Sequence, residues 1–243
     1  MDILTYAWTD IGGREYNEDY YGYWHADGNG VWVVADGLGG HAYGEVASRL
    51  VTETVVTLAG ELNELTDESV IGLSLEANRR LLAEQAAYPE LRGMKTTLVA
   101  VFTRNGCMKA IHAGDSRFYY FARGIFAFCT KDHSMTRHAM DAGEITFEDM
   151  RFHEDRNVVL KVLGLENLNL NNAVDSLTPA PGDAFLLCTD GFWEYVLERE
   201  MEEDLSMSAS PREWYERMRG RLLSRVPANN DNYTAVCCYI TEV

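Results

Sequence analysis

Three apolar, strand-like segments of this 243-residue chain each end in an aspartate, and this placement limits how the chain can fold. The aspartates are Asp36, Asp115 and Asp190, and the first and third are followed at once by glycine. A fourth, Asp231, stands just before the last apolar run. An aspartate at a buried strand end costs desolvation free energy unless it is paired or binds a metal. The pattern therefore predicts carboxylates that converge at one rim, where a divalent cation relieves their mutual repulsion.

The order of predicted strands and helices indicates an α+β fold. Two amphipathic helices, at about residues 46–58 and 67–85, stand between blocks of hairpin-linked strands, and residues 133–165 form a polar excursion. The strict strand–helix alternation of a doubly wound parallel sheet is missing from this order, so we predict antiparallel sheets flanked by helices. The predicted strands are 3–8, 20–24, 31–35, 96–103, 107–112, 117–122, 125–129, 172–177, 183–188 and 233–240, with short helices from 192 and a last helix at 210–225.

Composition excludes several classes of function. The formal net charge is −17, from 38 acidic and 21 basic residues, which argues against a binder of nucleic acid or of an anionic membrane. No apolar run approaches the roughly 18 residues that span a bilayer, and the acidic first ten residues do not resemble a signal peptide. The five cysteines form no CxxC pair, which favours reduced thiols. We therefore expect one domain over residues 1–243, in the cytoplasm, that binds neither nucleic acid nor membrane.

The segment DGLGGH at 36–41 follows a predicted strand and precedes a helix. Its glycines permit close backbone approach, so the Gly37 carbonyl is a candidate metal ligand. A plain tight turn explains the same glycines equally well. A phosphate-binding loop does not fit, because the Walker lysine is missing.

An arginine, Arg14, precedes the acidic residues Glu18 and Asp19 by four and five positions. A guanidinium group matches two phosphate oxygens at once, which makes Arg14 a candidate phosphate ligand. An ordinary salt bridge with Glu18 or Asp19 accounts for the same spacing.

Nine motifs in a fixed order give a more specific signal than any one of them. They are GREYNED (13–19), VVADGLGGHAYGEVAS (33–48), KTTLVAV (95–101), AGDSRFYY (113–120), TKDHS (130–134), GEITFED (143–149), RNVVLKVLG (156–164), CTDGFWE (188–194) and DNYTAV (231–236). In these motifs the chain resembles the type 2C metal-dependent protein serine/threonine phosphatases, the PPM family, and its short form is similar to the bacterial branch. The resemblance implies a four-layer α-β-β-α sandwich of two mainly antiparallel sheets flanked by helices, with a flap subdomain at about 133–165.

The resemblance also implies a centre of two Mn²⁺ or Mg²⁺ ions. Asp36 would bridge both ions, Asp190 and Asp231 would complete the first site, and the Gly37 carbonyl would bind the second ion. Ligands that are all oxygen atoms favour Mg²⁺ or Mn²⁺ over zinc.

Further roles follow from the same motifs. Glu18 and Asp19 would bind the second ion directly or through waters, and Asp115 would join Asp190 in a third, weaker metal site. Arg14 would bind the substrate phosphate, so the implied catalytic set is Asp36, Arg14 and Asp19.

The implied activity is hydrolysis of phosphoserine and phosphothreonine in proteins by a water that bridges the two metals, opposing a bacterial Ser/Thr kinase, in a monomeric enzyme. One alternative is a catalytically silent regulator that binds phosphoproteins, and another is a phosphatase or diesterase for small molecules.

Departures from the family pattern concern the proton donor. Eukaryotic members carry histidine directly after Asp-Gly as the proposed general acid, whereas this chain has Leu38 there, as bacterial relatives do. We predict a structural role for His41 and an anchoring role at the base of the flap for His133.

Overall fold

Two antiparallel sheets face each other in the computed structural model, which describes residues 2–38, 43–171 and 173–242. The elements in chain order are β1 (Asp2–Asp10), β2 (Asp19–Ala26), β3 (Asn29–Leu38), α1 (Gly44–Ala59), α2 (Asp67–Ala87), β4 (Lys95–Thr96), β5 (Leu98–Arg104), β6 (Cys107–Ala113), β7 (Arg117–Ala122), β8 (Ile125–Cys129), α3 (Met135–Asp141), β9 (Val174–Leu177), β10 (Ala184–Cys188), α4 (Asp190–Trp193), α5 (Glu198–Ser206), α6 (Pro211–Leu223) and β11 (Tyr233–Glu242). The five-stranded sheet has the order β1-β11-β10-β7-β8. The other sheet has the order β2-β3-β5-β6-β9, with β4 paired to β3.

Three apolar clusters separate four layers. The middle cluster lies between the sheets and includes Trp32, Phe118 and Phe185. A second cluster joins α1 and α2 to the six-stranded sheet, and a third joins α4, α5 and α6 to the five-stranded sheet around Trp214. The predicted α+β fold, with two mainly antiparallel sheets flanked by helices, is confirmed.

Strand β3 shows why its sequence is apolar without interruption. Successive side chains of a strand point to opposite faces, so Val31 and Val33 pack under the helices while Trp32 and Val34 enter the middle cluster. Both faces of this strand are buried, which explains a continuous apolar run in an antiparallel sheet.

Residues that cap a helix N-terminus precede α2 and α6. The Thr66 side chain accepts a hydrogen bond from the backbone of Ser69, and the Ser69 hydroxyl accepts one in return, which forms a capping box before α2. Ser210 caps α6, and Pro211 occupies its first turn. Both helices match the predicted ranges within two residues. Among the helices of the described residues, none is long and apolar enough to cross a bilayer.

The predicted strand at 96–103 is in fact two strands, β4 and β5, separated at Thr97. Thr97 lies outside both strands and is bonded to the backbone of Asp36. Its N–H donates to the Asp36 carbonyl at 2.8 Å, and its hydroxyl oxygen accepts the Asp36 N–H at 2.9 Å. The strand predicted at 172–177 begins at Val174 among the described residues, and position 172 lies outside them. The first short helix begins at Asp190, two residues earlier than predicted.

Residues 133–165 leave the sheets after β8 and contain α3 and a short 3-10 helix at Asp149–Arg151. Isolated bridges between Ser134 and Val159, and between Thr96 and Leu163, attach the two ends of this segment to each other and to β4. The segment is therefore anchored at its base close to the residues that contact Asp36.

Candidate functional site

The structure brings the predicted carboxylates together at one end of the two sheets. Asp19 and Asp36 stand opposite each other on β2 and β3. Asp190 opens α4 directly after β10, and Asp231 precedes β11. Besides burial, the charges of these three aspartates raise the pKa of Asp36. Asp115, which lies in the turn between β6 and β7, contributes in the same way. The convergence expected from the strand ends is therefore present in the fold.

Asp19 joins the two sheets at this end. The hydroxyls of Thr189 and Thr234, from the five-stranded sheet, donate hydrogen bonds to its carboxylate at 2.9 and 2.7 Å. Asp19 itself is 5% exposed. Burial raises the pKa of Asp19 to about 8, and the two hydroxyl donors offset only part of that effect.

The neighbouring carboxylates are perturbed in the same direction. Desolvation, followed by the charge of Asp231, raises the pKa of Asp190 to about 6, against a hydrogen bond from the Gly191 N–H. Desolvation also raises the pKa values of Asp36 and Asp115, with neighbouring aspartates as the next cause. This is the behaviour of carboxylates that lack a counter-charge.

Arg14 lies beside this group. Its Nη2 donates to Asp231 Oδ2 at 2.8 Å, with the two side chains 53% and 42% exposed. Within the described part of the chain, the salt bridge of Arg14 is therefore with Asp231 and not with Glu18 or Asp19. Its exposed guanidinium edge is open to a ligand that approaches from solvent.

The backbone around Gly37 is packed as closely as atoms allow. A Cβ on Gly37 would lie 2.2 Å from the Gly44 carbonyl oxygen, and a Cβ on Gly44 would lie 2.5 Å from Glu18 Oε1. The Gly37 N–H donates to the Glu18 carbonyl at 3.0 Å, and the Ser48 hydroxyl donates to the same oxygen at 2.6 Å. Burial and the charge of Glu45 raise the pKa of Glu18. The predicted ligands Glu18 and Gly37 are thus adjacent.

Of the two histidines with a predicted structural or anchoring role, the structure describes only His133. His41 lies outside the described residues. His133 donates its backbone N–H to the Gly114 carbonyl at 2.8 Å, one residue before Asp115, and so ties the base of the 133–165 segment to the turn that carries Asp115.

Glu194 belongs to the site but was not singled out from the sequence. Burial, followed by the charge of Asp190, raises the pKa of Glu194 to about 8, and Arg156 Nε lies 3.3 Å from its carboxylate. The signal was its position four residues after Asp190, which places both side chains on one side of a helical turn.

Asn232 is a second residue that sequence reasoning missed. Its amide nitrogen donates to the carbonyls of Ile11 and Tyr16, while its oxygen accepts the N–H of Glu18 at 2.8 Å. Asn232 therefore holds the loop between β1 and β2, which carries Arg14, against the start of β11. No feature of the local sequence indicated this long-range role.

The residues fit divalent cations that prefer oxygen. The donors are carboxylates and backbone carbonyls, and burial together with the neighbouring aspartates raises the pKa values of Asp36 and Asp190, so a cation would stabilise their ionised forms. Among the described residues, no three His, Cys, Asp or Glu side chains form a ready-made ligand group for one ion. Carboxylates that hold one ion here would therefore have to move closer together or bind it through water, with backbone carbonyls as further ligands.

Comparison with known proteins identifies the family of this chain. The family model described as protein phosphatase 2C matches residues 11–225. The chain belongs to the protein phosphatase 2C family. The serine/threonine phosphatase stp of Listeria monocytogenes serotype 4b is 34% identical over 203 residues, which cover 79% of this chain and 78% of that protein.

Solved structures of bacterial serine/threonine phosphatases share the architecture. The crystal structure of the Mycobacterium tuberculosis serine/threonine phosphatase PstP/Ppp has a TM-score of 0.87 at 28% identity, over 99% of each chain. The catalytic domain of PstP in complex with two manganese ions has a TM-score of 0.84 at 27% identity, again over 99% of each chain. The predicted family, its bacterial branch and the enzyme class, a protein serine/threonine phosphatase, are confirmed. Membership also supports metal dependence.

Proposed function

We propose that this protein phosphatase 2C member hydrolyses phosphoserine and phosphothreonine in proteins at the carboxylate group around Asp36. The observation that carries the proposal is the convergence of Asp19, Asp36 and Asp190, with raised pKa values, beside the exposed Arg14. A catalytically silent regulator is not favoured, because Asp36, Asp190 and Asp231 are all present and because the charges of Asp190 and Asp231 are close enough to raise the pKa of Asp36.

We propose that two divalent cations, Mn²⁺ or Mg²⁺, neutralise this group. Asp36 would hold both cations, Asp190 and Asp231 would complete the site of the first, and the Gly37 carbonyl would belong to the site of the second. Glu18 and Asp19 would bind the second cation through water or directly, and Asp115 with Asp190 would hold a third, more weakly bound cation. When bound, the cations supply a water nucleophile that ionises near neutral pH, and they neutralise charge on the phosphoryl oxygens.

The side chains of the protein provide orientation. Asp231 fixes the Arg14 guanidinium by the 2.8 Å bond, so Arg14 can bind two phosphate oxygens without first losing conformational freedom. Thr189 and Thr234 hold the Asp19 carboxylate in one orientation. Asp19 and Asp190, with pKa values of about 8 and about 6, must release their protons before cations bind.

We further propose that the substrates are proteins phosphorylated by a Ser/Thr kinase of the same cell, and that the enzyme acts as a monomer in the cytoplasm. Five free cysteines suit a reducing compartment. One domain spans residues 1–243, and residues 133–165 serve as a flap that receives substrate. The exposed Phe152, at 79%, gives this flap an apolar contact for a peptide.

The test is Mn²⁺-dependent release of phosphate from a phosphothreonine peptide. We expect activity that EDTA abolishes and that Asp36→Asn lowers by about 10³-fold or more, because the bridging carboxylate is lost. Asp2→Asn, which alters an exposed carboxylate at the start of β1, is the matched control and should leave the rate unchanged.

Two results would contradict the proposal. If calorimetry shows bound Mn²⁺ but no peptide turns over, the protein is a phosphoprotein-binding regulator. If nucleotide phosphates are hydrolysed much faster than the phosphopeptide, the substrate is a small molecule.

A further inference from the structure

A cavity of about 480 Å³ opens beside the segment between β8 and α3. Six basic side chains line it: Lys131, Lys161, Arg137, His112, His133 and His138. Two of the four lysines and three of the six histidines of the chain therefore meet at one cavity, in a protein of net charge −17. Such a concentration of basic groups is unexpected in this composition.

The two lysines at this cavity differ from Lys109 in their pairing. Within the described residues, neither Lys131 nor Lys161 forms an ion pair, whereas Lys109 pairs with Asp67 at 2.6 Å. Arg137 is paired with Asp141 at 3.0 Å along α3. Of the other two lining acids, Asp132 is bound to the buried Arg117 at 2.7 Å, and Asp175 interacts electrostatically with Lys131 and His112.

The histidines crowd the same wall. The rings of His112 and His133 stack with centroids 4.5 Å apart. Burial, together with the charges of the nearby His112, Lys161 and His138, lowers the pKa of His133 to about 3. These groups are therefore close enough to repel one another when charged, and a bound anion would relieve that repulsion.

A buried polar atom on this wall also lacks a partner. His112 donates from Nε2 to the Lys131 carbonyl oxygen at 2.8 Å, so Nδ1 carries the lone pair in the neutral ring. His112 is 6% exposed, and its Nδ1 has no hydrogen-bond partner among the described residues. An unpaired buried nitrogen of this kind costs free energy unless a ligand satisfies it.

We propose that this cavity is a second anion site, which binds a phosphate group other than the one being hydrolysed. The ammonium groups of Lys131 and Lys161 bind the phosphate oxygens, and a monoprotonated phosphate also offers an O–H as a donor. The phosphate is either free inorganic phosphate or a second phosphorylated residue of a protein substrate. The second source rests on the proposed function, whereas binding of free phosphate does not.

The first test measures binding without turnover. Inorganic phosphate is titrated into the metal-free protein in EDTA while the imidazole signals of His112, His133 and His138 are followed by NMR. We expect saturable shifts of these signals. Lys131→Gln combined with Lys161→Gln should lower the affinity by at least about tenfold, because two charge-assisted hydrogen bonds are lost.

The chain offers a matched control for this experiment. Lys95→Gln combined with Lys109→Gln alters the other two lysines and changes the net charge equally. We expect this variant to bind phosphate as the unaltered protein does. Equal weakening in both double variants, or no saturable shift in the unaltered protein, would overturn the site.

The second test separates the two sources. KM for a peptide with two phosphothreonines is compared with KM for the singly phosphorylated peptide. A lower KM for the doubly phosphorylated peptide that disappears only in the Lys131/Lys161 variant assigns the site to the substrate. Phosphate binding without such a KM difference assigns it to free phosphate. Absence of both effects overturns the proposal, whether or not the enzyme turns over.

Discussion

At the scale of single residues, Gly37 shows how tightly the site is built. Its missing Cβ leaves room for the Gly44 carbonyl, which a Cβ would approach to 2.2 Å. The contact would join a backbone oxygen and a Cβ, and the backbone fixes the position of both atoms. Rotation of a side chain therefore cannot relieve it. Any larger residue at 37 must therefore separate β3 from the start of α1.

We expect Gly37→Ala to lower the free energy of unfolding by about 2 kcal/mol or more, since overpacking of a close contact has this cost. Urea unfolding in EDTA measures it. Gly72→Ala is the control, because a Cβ at Gly72 in α2 meets nothing within 4 Å. That variant should be more stable by about 0.5–1 kcal/mol, the gain expected when alanine replaces glycine in a helix. Equal effects at both positions would show that the crossing at Gly37 is looser than the structure indicates.

The predictability of the site varies among its residues for a physical reason. Asp36 and Asp190 were visible because each ends an apolar strand, a pattern that local sequence displays. The partner of Arg14 could not be predicted, because Asp231 lies 217 positions away and only the fold brings the two together. Asn232 was missed for the same reason.

At the scale of elements, the 133–165 segment is held to α5 by a buried ion pair. Arg151 donates to both oxygens of Glu198 at 2.6 Å, with side chains 2% and 16% exposed. Arg151 also lies over the ring of Trp193, whose Nε1–H donates to the Asp115 carbonyl at 2.9 Å. The position of this segment is therefore linked to the turn that carries Asp115.

We expect Arg151→Met to lower the free energy of unfolding by about 3 kcal/mol, because it leaves Glu198 buried without its closest cation. We also expect KM for a phosphopeptide to rise more than kcat falls. The 133–165 segment loses its anchor, whereas the proposed metal ligands keep their hydrogen bonds. Arg151→Lys should restore only part of both, because lysine lacks the planar fork.

The control is Arg79→Met, which breaks an exposed ion pair with Glu76 within α2 and should have no measurable effect. If Arg151→Met changes stability but leaves KM unaltered, the anchor stabilises the fold without positioning substrate.

Elements were more predictable than the site, because periodicity alone reports which residues face a core. Two of the places where the prediction differed, Thr97 and Asp190, are at the carboxylate site. Thr97 leaves its strand to bond the backbone of Asp36. The irregularity in this strand therefore lies beside a predicted site residue, where local propensity alone is a poor guide.

At the scale of the whole molecule, folding without metal brings like charges together. A carboxyl group with a raised pKa in the folded state favours folding below its unfolded pKa, near 4, and loses that contribution as pH rises through the folded value. For Asp190 and Asp19 the folded pKa values are about 6 and about 8. Burial lowers the pKa values of His112 and His133, so the histidines act in the opposite sense and destabilise the fold as pH falls below about 6.5.

The difference between metal-loaded and metal-free protein removes the histidine contribution, because it is present in both. Cations bind only the ionised carboxylates, and at pH 6 Asp19 and half of Asp190 must first lose protons. We therefore expect the rise in Tm caused by Mn²⁺, relative to EDTA, to grow as pH increases from 6 to 8. Calorimetry in two buffers of different ionisation enthalpy should show protons released on binding at pH 6 and fewer at pH 8. In Asp36→Asn the rise should be small at every pH. A rise in Tm that is the same at pH 6 and pH 8 would mean that the carboxylates are already ionised in the metal-free protein, and that their repulsion is relieved by something other than protons.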